Sequence, residues 1–442
     1  MDAPPWLFTA SAMPGHWSAM LGTGACPMTN NAVSVGLPSG AAAVRLLATL
    51  SLLLAFGNAS VELYLPGLPS MAAALHASPA EAQWTLSSFL VGFGIGQLFW
   101  GPVGDSFGRR IPLLVAISVY IVASLGCILS SSIHEVIAWR LLQAFGACAG
   151  PVLARAVVRD VYGHHRSADI LSLLLLAASF APLLLPLAGG GLLWFGWRAI
   201  FWGQVAFGAV AMVGMLLMDE TLPQARRVSL KLSQVVLGYA QMLRTRRVLG
   251  ATLVSAFFYG GIYAFAAGSP FSYVTHYGVP PSMYGFLYGL NVVGMMAMFA
   301  VNRRLVVRLG PERLLLWGTS IAAAAGVVQA VAGWTGYGGL FGLVVPNVIF
   351  FSMVGFVTGN SIAVAMSAFP HRAGSASALG GAMQFGGGAS ASAVLGLLAD
   401  GTPWPMTLVM AVCGFGAFGA AIMLQEVPGS GVEREIFLAP FK

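Results

Sequence analysis

The chain is punctuated by runs of about 20 apolar residues, the length at which an α-helix crosses the hydrocarbon core of a bilayer. About twelve occur, centred near Leu54, Gly92, Val122, Phe145, Leu176, Val210, Ile262, Gly294, Ala324, Val354, Leu379 and Cys413. They are continuous in Leu, Ala and Gly, which excludes the shorter alternating segments of an outer-membrane barrel. A soluble chain of 442 residues with 58% hydrophobic and 8% charged residues could not cover its core. The expected fold is therefore an all-α membrane protein, a bundle of 12 transmembrane helices.

Arg and Lys orient the bundle, because they accumulate in cytoplasmic loops. The connections around His76, Ser131, Gly278, Gly336 and Gly401 carry none, and the one around Trp197 carries only Arg198. All of the 21 basic residues except Arg140 and Arg198 fall on the other side. Both termini are thus expected to be cytoplasmic. The net charge of +7 is read as a topology signal, and nucleic acid is excluded as a partner.

The longest polar interval separates six spans from six. The expected organisation is a flexible N-terminal tail over 1–40, six-helix halves over 41–218 and 248–425, a cytoplasmic loop over 219–247 and a C-terminal tail over 426–442. The tail lacks Arg and Lys and shows no helical period; Met28 precedes a more ordinary lead-in, so an over-extended gene start fits it. GDSFGRRIPLL answers to VVRLGPERLLL in the second half, with Gly108 falling on Gly310 and Leu113–Leu114 on Leu315–Leu316. Repeated halves with a site between them at mid-membrane form a transporter architecture. Cys26, Cys127, Cys148 and Cys413 show no paired spacing, so neither a disulfide framework nor a metal site is indicated.

Four polar features interrupt the apolar sequence. In GPVGDSFGRR, Gly101 to Arg110, Asp105 can meet the positive N-terminus of the next helix, and Arg109 and Arg110 can pair with acids or helix C-termini. The turn reads equally as a tight Gly/Pro bend that obeys the positive-inside rule. Arg140 lies about two turns inside span 4 with Gln143 on nearly the same face, where it needs a wet cavity or a partner unless it snorkels outward. Pro182, Pro186, Gly189, Gly190 and Gly191 kink span 5 and let helices approach closely. Glu62 is the one acidic residue clearly within an apolar span, on a stripe with Ser51, Ala55 and Asn58. There it either exchanges a proton or attracts a cation, unless it sits hydrated at the outer interface. In the second half the polar and aromatic candidates are Tyr259, Tyr263, Asn291, Asn347, Thr358, Asn360 and Gln384, most of which read equally as interhelical hydrogen bonds. An aromatic cavity with one charge suits amphipathic organic substrates better than sugars.

The pattern ELYLPGLPSMAAAL, QWTLSSFLVGFGIGQLFWGPVGDSFGRR, WRLLQAFGACAGPVLARAVVRD, APLLLPLAGG, GWRAIFW, DETLP, GSPFSYVTHYGV and HRAGSASALGGAMQFGGG resembles the Bcr/CflA drug-resistance branch of the major facilitator superfamily. The likeness runs in order from about Arg45 to about Gln425. It implies a major-facilitator-type fold of two six-helix halves, located in the bacterial inner membrane. It also implies export of bicyclomycin- or chloramphenicol-like compounds by a proton-driven antiporter, most simply as a monomer, with no cofactor beyond the proton gradient. By this resemblance Gly101, Asp105, Gly108, Arg109 and Arg110 match the gating motif. Arg140, Gln143 and Gly146 match the motif tied to proton coupling, and Pro182, Pro186, Gly189 and Gly190 match the antiporter motif. Glu62 and Arg140 become the expected coupling pair, with Asn58, Glu62, Gln143, Tyr259, Tyr263, Asn291, Asn360 and Gln384 around the substrate.

Two residues depart from the family pattern. Ser106 stands where an Arg is usual, which removes a charge from the gating turn, and Glu62 replaces the usual Asp, extending the carboxylate by about one methylene. An uncoupled facilitator or importer is the alternative function. An enzyme is not expected, since the seven His residues show no constellation within the spans. ATP hydrolysis is excluded, because the chain has no GxxxxGK[ST] loop and only two Lys, Lys231 and Lys442.

Overall fold

The computed structural model describes residues 40–178, 180–227, 232–369 and 373–425. Their regular structure is helical throughout. In the N-terminal part run α1 (Ala41–Glu62), α2 (Leu68–Ala74), α3 (Pro79–Phe107), α4 (Arg110–Leu129), α5 (Ile133–Ala178), α6 (Ala181–Leu192) and α7 (Arg198–Leu216). After them come α8 (Leu232–Leu243), α9 (Arg246–Pro270), α10 (Pro281–Leu309), α11 (Pro311–Thr335), α12 (Gly339–Ser352), α13 (Val354–Ser367), α14 (Ala373–Leu398) and α15 (Trp404–Gln425).

Ten stretches among the described residues are long and apolar enough to cross a membrane. Two of the expected segments fall outside these ten. One is α14, whose 26 residues are long enough but dominated by Gly, Ala and Ser, which lowers its hydropathy. The other follows Gly163, a kink in left-handed conformation (φ 68°) that ends the first limb of α5, and it resumes as the short α6. The interval 219–247, expected as a loop, contains α8, which packs against α9 and α14 through Tyr239, Met242 and Leu379.

The first span is interrupted. Leu65-Pro66-Gly67 forms a single 3-10 turn, and α2 continues the apolar stretch to Ala74. The Pro break therefore does not end that stretch. Pro66 lacks the N–H that would continue the ladder, while residues 61–68 stay buried in the protein, which removes any need to end the span there. Glu62 consequently lies 12 residues before the end of the apolar stretch, roughly 18 Å along a helix.

Small residues decide which helices touch. In the N-terminal half α5 is central: Gly92 of α3 faces the Leu141 carbonyl, Gly146 sits on the Ala116 carbonyl of α4, and Gly150 on the Leu53 carbonyl of α1. In the C-terminal half α9 plays that part, with Gly387 of α14 against the Ala256 carbonyl and Gly268 against Met406 of α15. The halves meet along α3 and α14, where Phe93 and Phe385 lie 4.3 Å apart, and along α6 and α10.

A side chain at Gly92 has nowhere to go, because the obstacle is backbone. Gly92→Val is expected to destabilise the detergent-solubilised protein by about 1–3 kcal/mol, the usual cost of overpacking. Gly359→Ala, at an exposed helical position with open space around it, is expected to be neutral or slightly stabilising. Thermal unfolding of the two variants beside the wild type checks both.

Candidate functional site: a carboxylate at the seam and two polar clusters

Glu62 ends α1 with only 9% of its surface exposed, which removes the reading of a hydrated interfacial group. It faces the C-terminal half. Tyr288 and Tyr284 of α10 and Tyr263 of α9 are its titratable neighbours. Its Oε2 is buried with no hydrogen-bond partner. Tyr288 was not legible in the sequence, since nothing in YGFLYGLNVV distinguishes one tyrosine from the next.

Arg140 does not meet Glu62. It is fully buried inside the N-terminal half, where Nη1 donates to the Ser60 carbonyl at 3.0 Å and to Gln143 Oε1 at 2.7 Å. Its guanidinium lies between the faces of Tyr64 and Phe89, 4.4 and 4.3 Å from the ring centroids. A desolvated cation–π contact contributes about 2 kcal/mol. Two such contacts offset an insertion cost of roughly 2.5–3.5 kcal/mol for a central arginine. Aromatic faces and amides thus replace a counter-ion, and snorkelling is not needed. Gln143 is committed within the same cluster, its Nε2 donating to Ser124 Oγ at 2.6 Å and Gln204 Oε1 at 2.7 Å, so it does not reach the seam.

Ser60 and Glu62 share one helix, yet they point about 200° apart, because each α-helical residue turns about 100°. One polar face of α1 looks into its own bundle and the other across the seam. Asn58 is half-buried on the Glu62 side. Gly189 of α6 backs onto the Leu63 carbonyl beside the break, and Gly190 meets the Pro281 carbonyl of the other half, so adjacent glycines touch both bundles. Pro186 is buried and Pro182 partly buried in the same helix.

The remaining candidates of the second half form three groups. Tyr259 pairs with Thr358 at 2.8 Å and stands 6.2 Å from Tyr263, whose ring neighbours Phe385 at 5.7 Å. Gln384, the next residue on α14, is buried with Nε2 unpartnered. Asn291 accepts from Asn347 at 2.9 Å, and Asn360 donates to Asn302 at 2.8 Å, so these amides join α10 to α12 and α13. Tyr263 and Gln384 are brought toward the seam, whereas the asparagines are held within their own half.

At the Arg-rich end of the N-terminal half, Arg109 is 3% exposed between Asp105 (2.7 Å) and Asp160 (2.8 Å). Asp105 is half exposed and screened, so Asp160 is the stronger partner. The carboxylate at the N-terminus of α4 is Glu220, not Asp105: it accepts from the backbone N–H of Arg109 at 2.8 Å, Arg110 at 3.1 Å and Leu222 at 2.9 Å. Asp105 is a turn too early in α3 to reach those groups. Gly108 has φ 94°, and a side chain on it would strike Glu220. Arg110 reaches the Leu216 carbonyl at the C-terminus of α7, as helix-end electrostatics favour. Gly101 lies in α3 one turn before Asp105, and Ser106 bonds back to the Pro102 carbonyl at 3.0 Å. Asp160 and Glu220 had been visible as acids in VVRD and DETLP, without a signal of what they hold.

Residues 47–392 match the family described as Major Facilitator Superfamily. The chain belongs to the major facilitator superfamily. It is 34% identical over 382 residues to an uncharacterized transporter of that superfamily, YdgK of Bacillus subtilis, covering 85% of this chain and 94% of the relative. It is 30% identical to a bicyclomycin resistance protein homolog of Haemophilus influenzae, over 83% and 92% of the two chains. The fold agrees with a partially occluded inward open conformation of the xylose transporter XylE from E. coli, at TM-score 0.67, 15% identity and coverage of 87% and 97%. This major facilitator is thus a multi-pass membrane transporter of the Bcr/CflA drug-resistance type, and not an enzyme.

Partial burial acts to raise the pKa of Glu220, but three backbone donors and the Arg227 charge outweigh it and hold the carboxyl below its ordinary 4.5. A depressed folded-state value stabilises the fold above that pH and is lost as pH falls through the folded value. The wild type is therefore expected to lose about 1 kcal/mol of stability below about pH 4.5 that Glu220→Gln lacks at every pH. Unfolding midpoints of both proteins between pH 3 and 8 check this, the curves converging on the acid side.

Proposed function

We propose that this transporter is a proton-coupled antiporter that exports small amphipathic drugs or metabolites of the bicyclomycin or chloramphenicol kind by alternating access. The observation that carries the reading is Glu62: a carboxylate at the seam between the halves, nearly fully buried, with one oxygen unpartnered. An ionisable group so placed marks a coupling or substrate site. Its aromatic neighbours Tyr263 and Tyr288, and the Phe385–Phe93 pair that adjoins Tyr263, suit an apolar substrate with few polar groups.

When the cavity opens outward, Glu62 takes up a proton and substrate leaves; when it opens inward, the proton departs and the next substrate enters. Contacts of α6 with α10 and of α2 with the turn after α9 close the end away from the Arg-rich loops, which supports an outward-closed member of this cycle. The reading includes twelve membrane crossings in two six-helix halves over 41–218 and 248–425, joined by the 219–247 loop, with both termini cytoplasmic. It further comprises a monomer in the bacterial inner membrane whose energy source is the proton gradient, with no other cofactor.

The purified protein in liposomes, with radiolabelled chloramphenicol and bicyclomycin as probes, tests it. An imposed pH gradient is expected to accelerate wild-type transport, and Glu62→Gln is expected to abolish the acceleration. Gradient-driven transport at the wild-type rate by Glu62→Gln would overturn the coupling role, and wild-type transport indifferent to the gradient would favour a facilitator.

A further inference from the structure

The break in the first span leaves a backbone acceptor without its helical donor. In an unbroken helix the Tyr64 N–H would bond the Ser60 carbonyl; here it turns to the Val61 carbonyl at 3.1 Å. A free carbonyl at this depth is strongly disfavoured, because no water is at hand to satisfy it. Two side chains close it: Arg140 through Nη1 at 3.0 Å, and Gln204 of α7 through Nε2 at 3.2 Å. The Gln204 amide is itself fixed, since its Oε1 accepts from Gln143. Gln204 is wholly buried and matches no motif in the sequence.

We propose that Gln204 is a positioning residue for Glu62, acting through the Ser60 carbonyl. Ser60 and Glu62 lie on opposite faces of the last turn of α1, so anchoring the first against α5 and α7 sets the direction in which the second meets the other half. Arg140 shares the grip, but it is also held by Gln143 and two rings, whereas Gln204 spans from α7 to the break itself. Glu62 is faced by Tyr263 of α9 and by Tyr284 and Tyr288 of α10. On the opposite side of α1, Tyr64, Tyr120 of α4 and Arg140 surround Ser60. Gln204 contributes no charge to either set and acts by geometry alone. The proposal rests on the reading of Glu62 as the proton-exchanging group.

The test compares wild type, Gln204→Met, Glu62→Gln and the double variant in liposomes, following radiolabelled chloramphenicol as a function of pH. Gln204→Met is expected to lower the maximal gradient-driven rate about tenfold with KM changed less than about twofold. It should also displace the pH midpoint by about half a unit or more. In the Glu62→Gln background it should leave the residual flux unchanged, the signature of two residues acting as one unit. An unmoved midpoint, or an equal fractional loss in both backgrounds, would show a merely structural amide and overturn the proposal while coupling by Glu62 stands. Full gradient-driven export by Glu62→Gln alone would overturn the coupling reading and the proposal with it. If Gln204→Met does not yield folded protein, Gln204→Asn, which keeps the amide but withdraws it by one methylene, takes its place with the same outcomes.

Discussion

A single cation buried without a carboxylate organises the N-terminal half. Arg140 must be stabilised by whatever its neighbours supply, and among the described residues they supply two aromatic faces, one amide oxygen and one backbone carbonyl. Each partner arrives on a different element: Tyr64 after α1, Phe89 on α3, Gln143 on α5 itself. Removing the charge would therefore loosen three helices at once, whereas a surface ion pair would bind two side chains and little more.

The two ends of that half use charge differently. Near the Arg-rich loops, acids are plentiful and partly wet, so Arg109 can pair with Asp105 and Asp160, and Glu220 can cap α4. Of these acids Asp105 and Glu220 keep contact with water, which makes their bonds easier to break and remake than those of a wholly buried cluster. Deeper in, the same chain relies on cation–π contacts and amides, which are directional and cannot be exchanged for water. A cluster at the Arg-rich end able to let go and a deeper cluster unable to do so fit a body that rocks as a unit.

Much of this was legible in the sequence. Apolar run length reported the class of fold, and Glu62 and Arg140 stood out because each is costly in hydrocarbon. Partners were less legible than the residues that need them. Ser60 is an ordinary serine until a break two residues later frees its carbonyl, and Tyr288 is one of several tyrosines until the halves come together. Glu220 carries no signal of its role in the sequence, because its three donors are backbone groups, which leave no trace in side-chain chemistry. Pro66 is a related case: proline reports a missing hydrogen bond, and the helix resumes beyond it as α2.

The geometry of the last turn of α1 has a mechanical consequence. With Ser60 gripped on one side and Glu62 reaching out on the other, the helix works as a short crank. Rolling it far enough to turn the carboxylate away from the seam also drags the carbonyl out of its grip. On the proposed reading of Glu62, chemistry at the carboxylate would act as torque on the N-terminal bundle, with no chain of intermediaries longer than two residues.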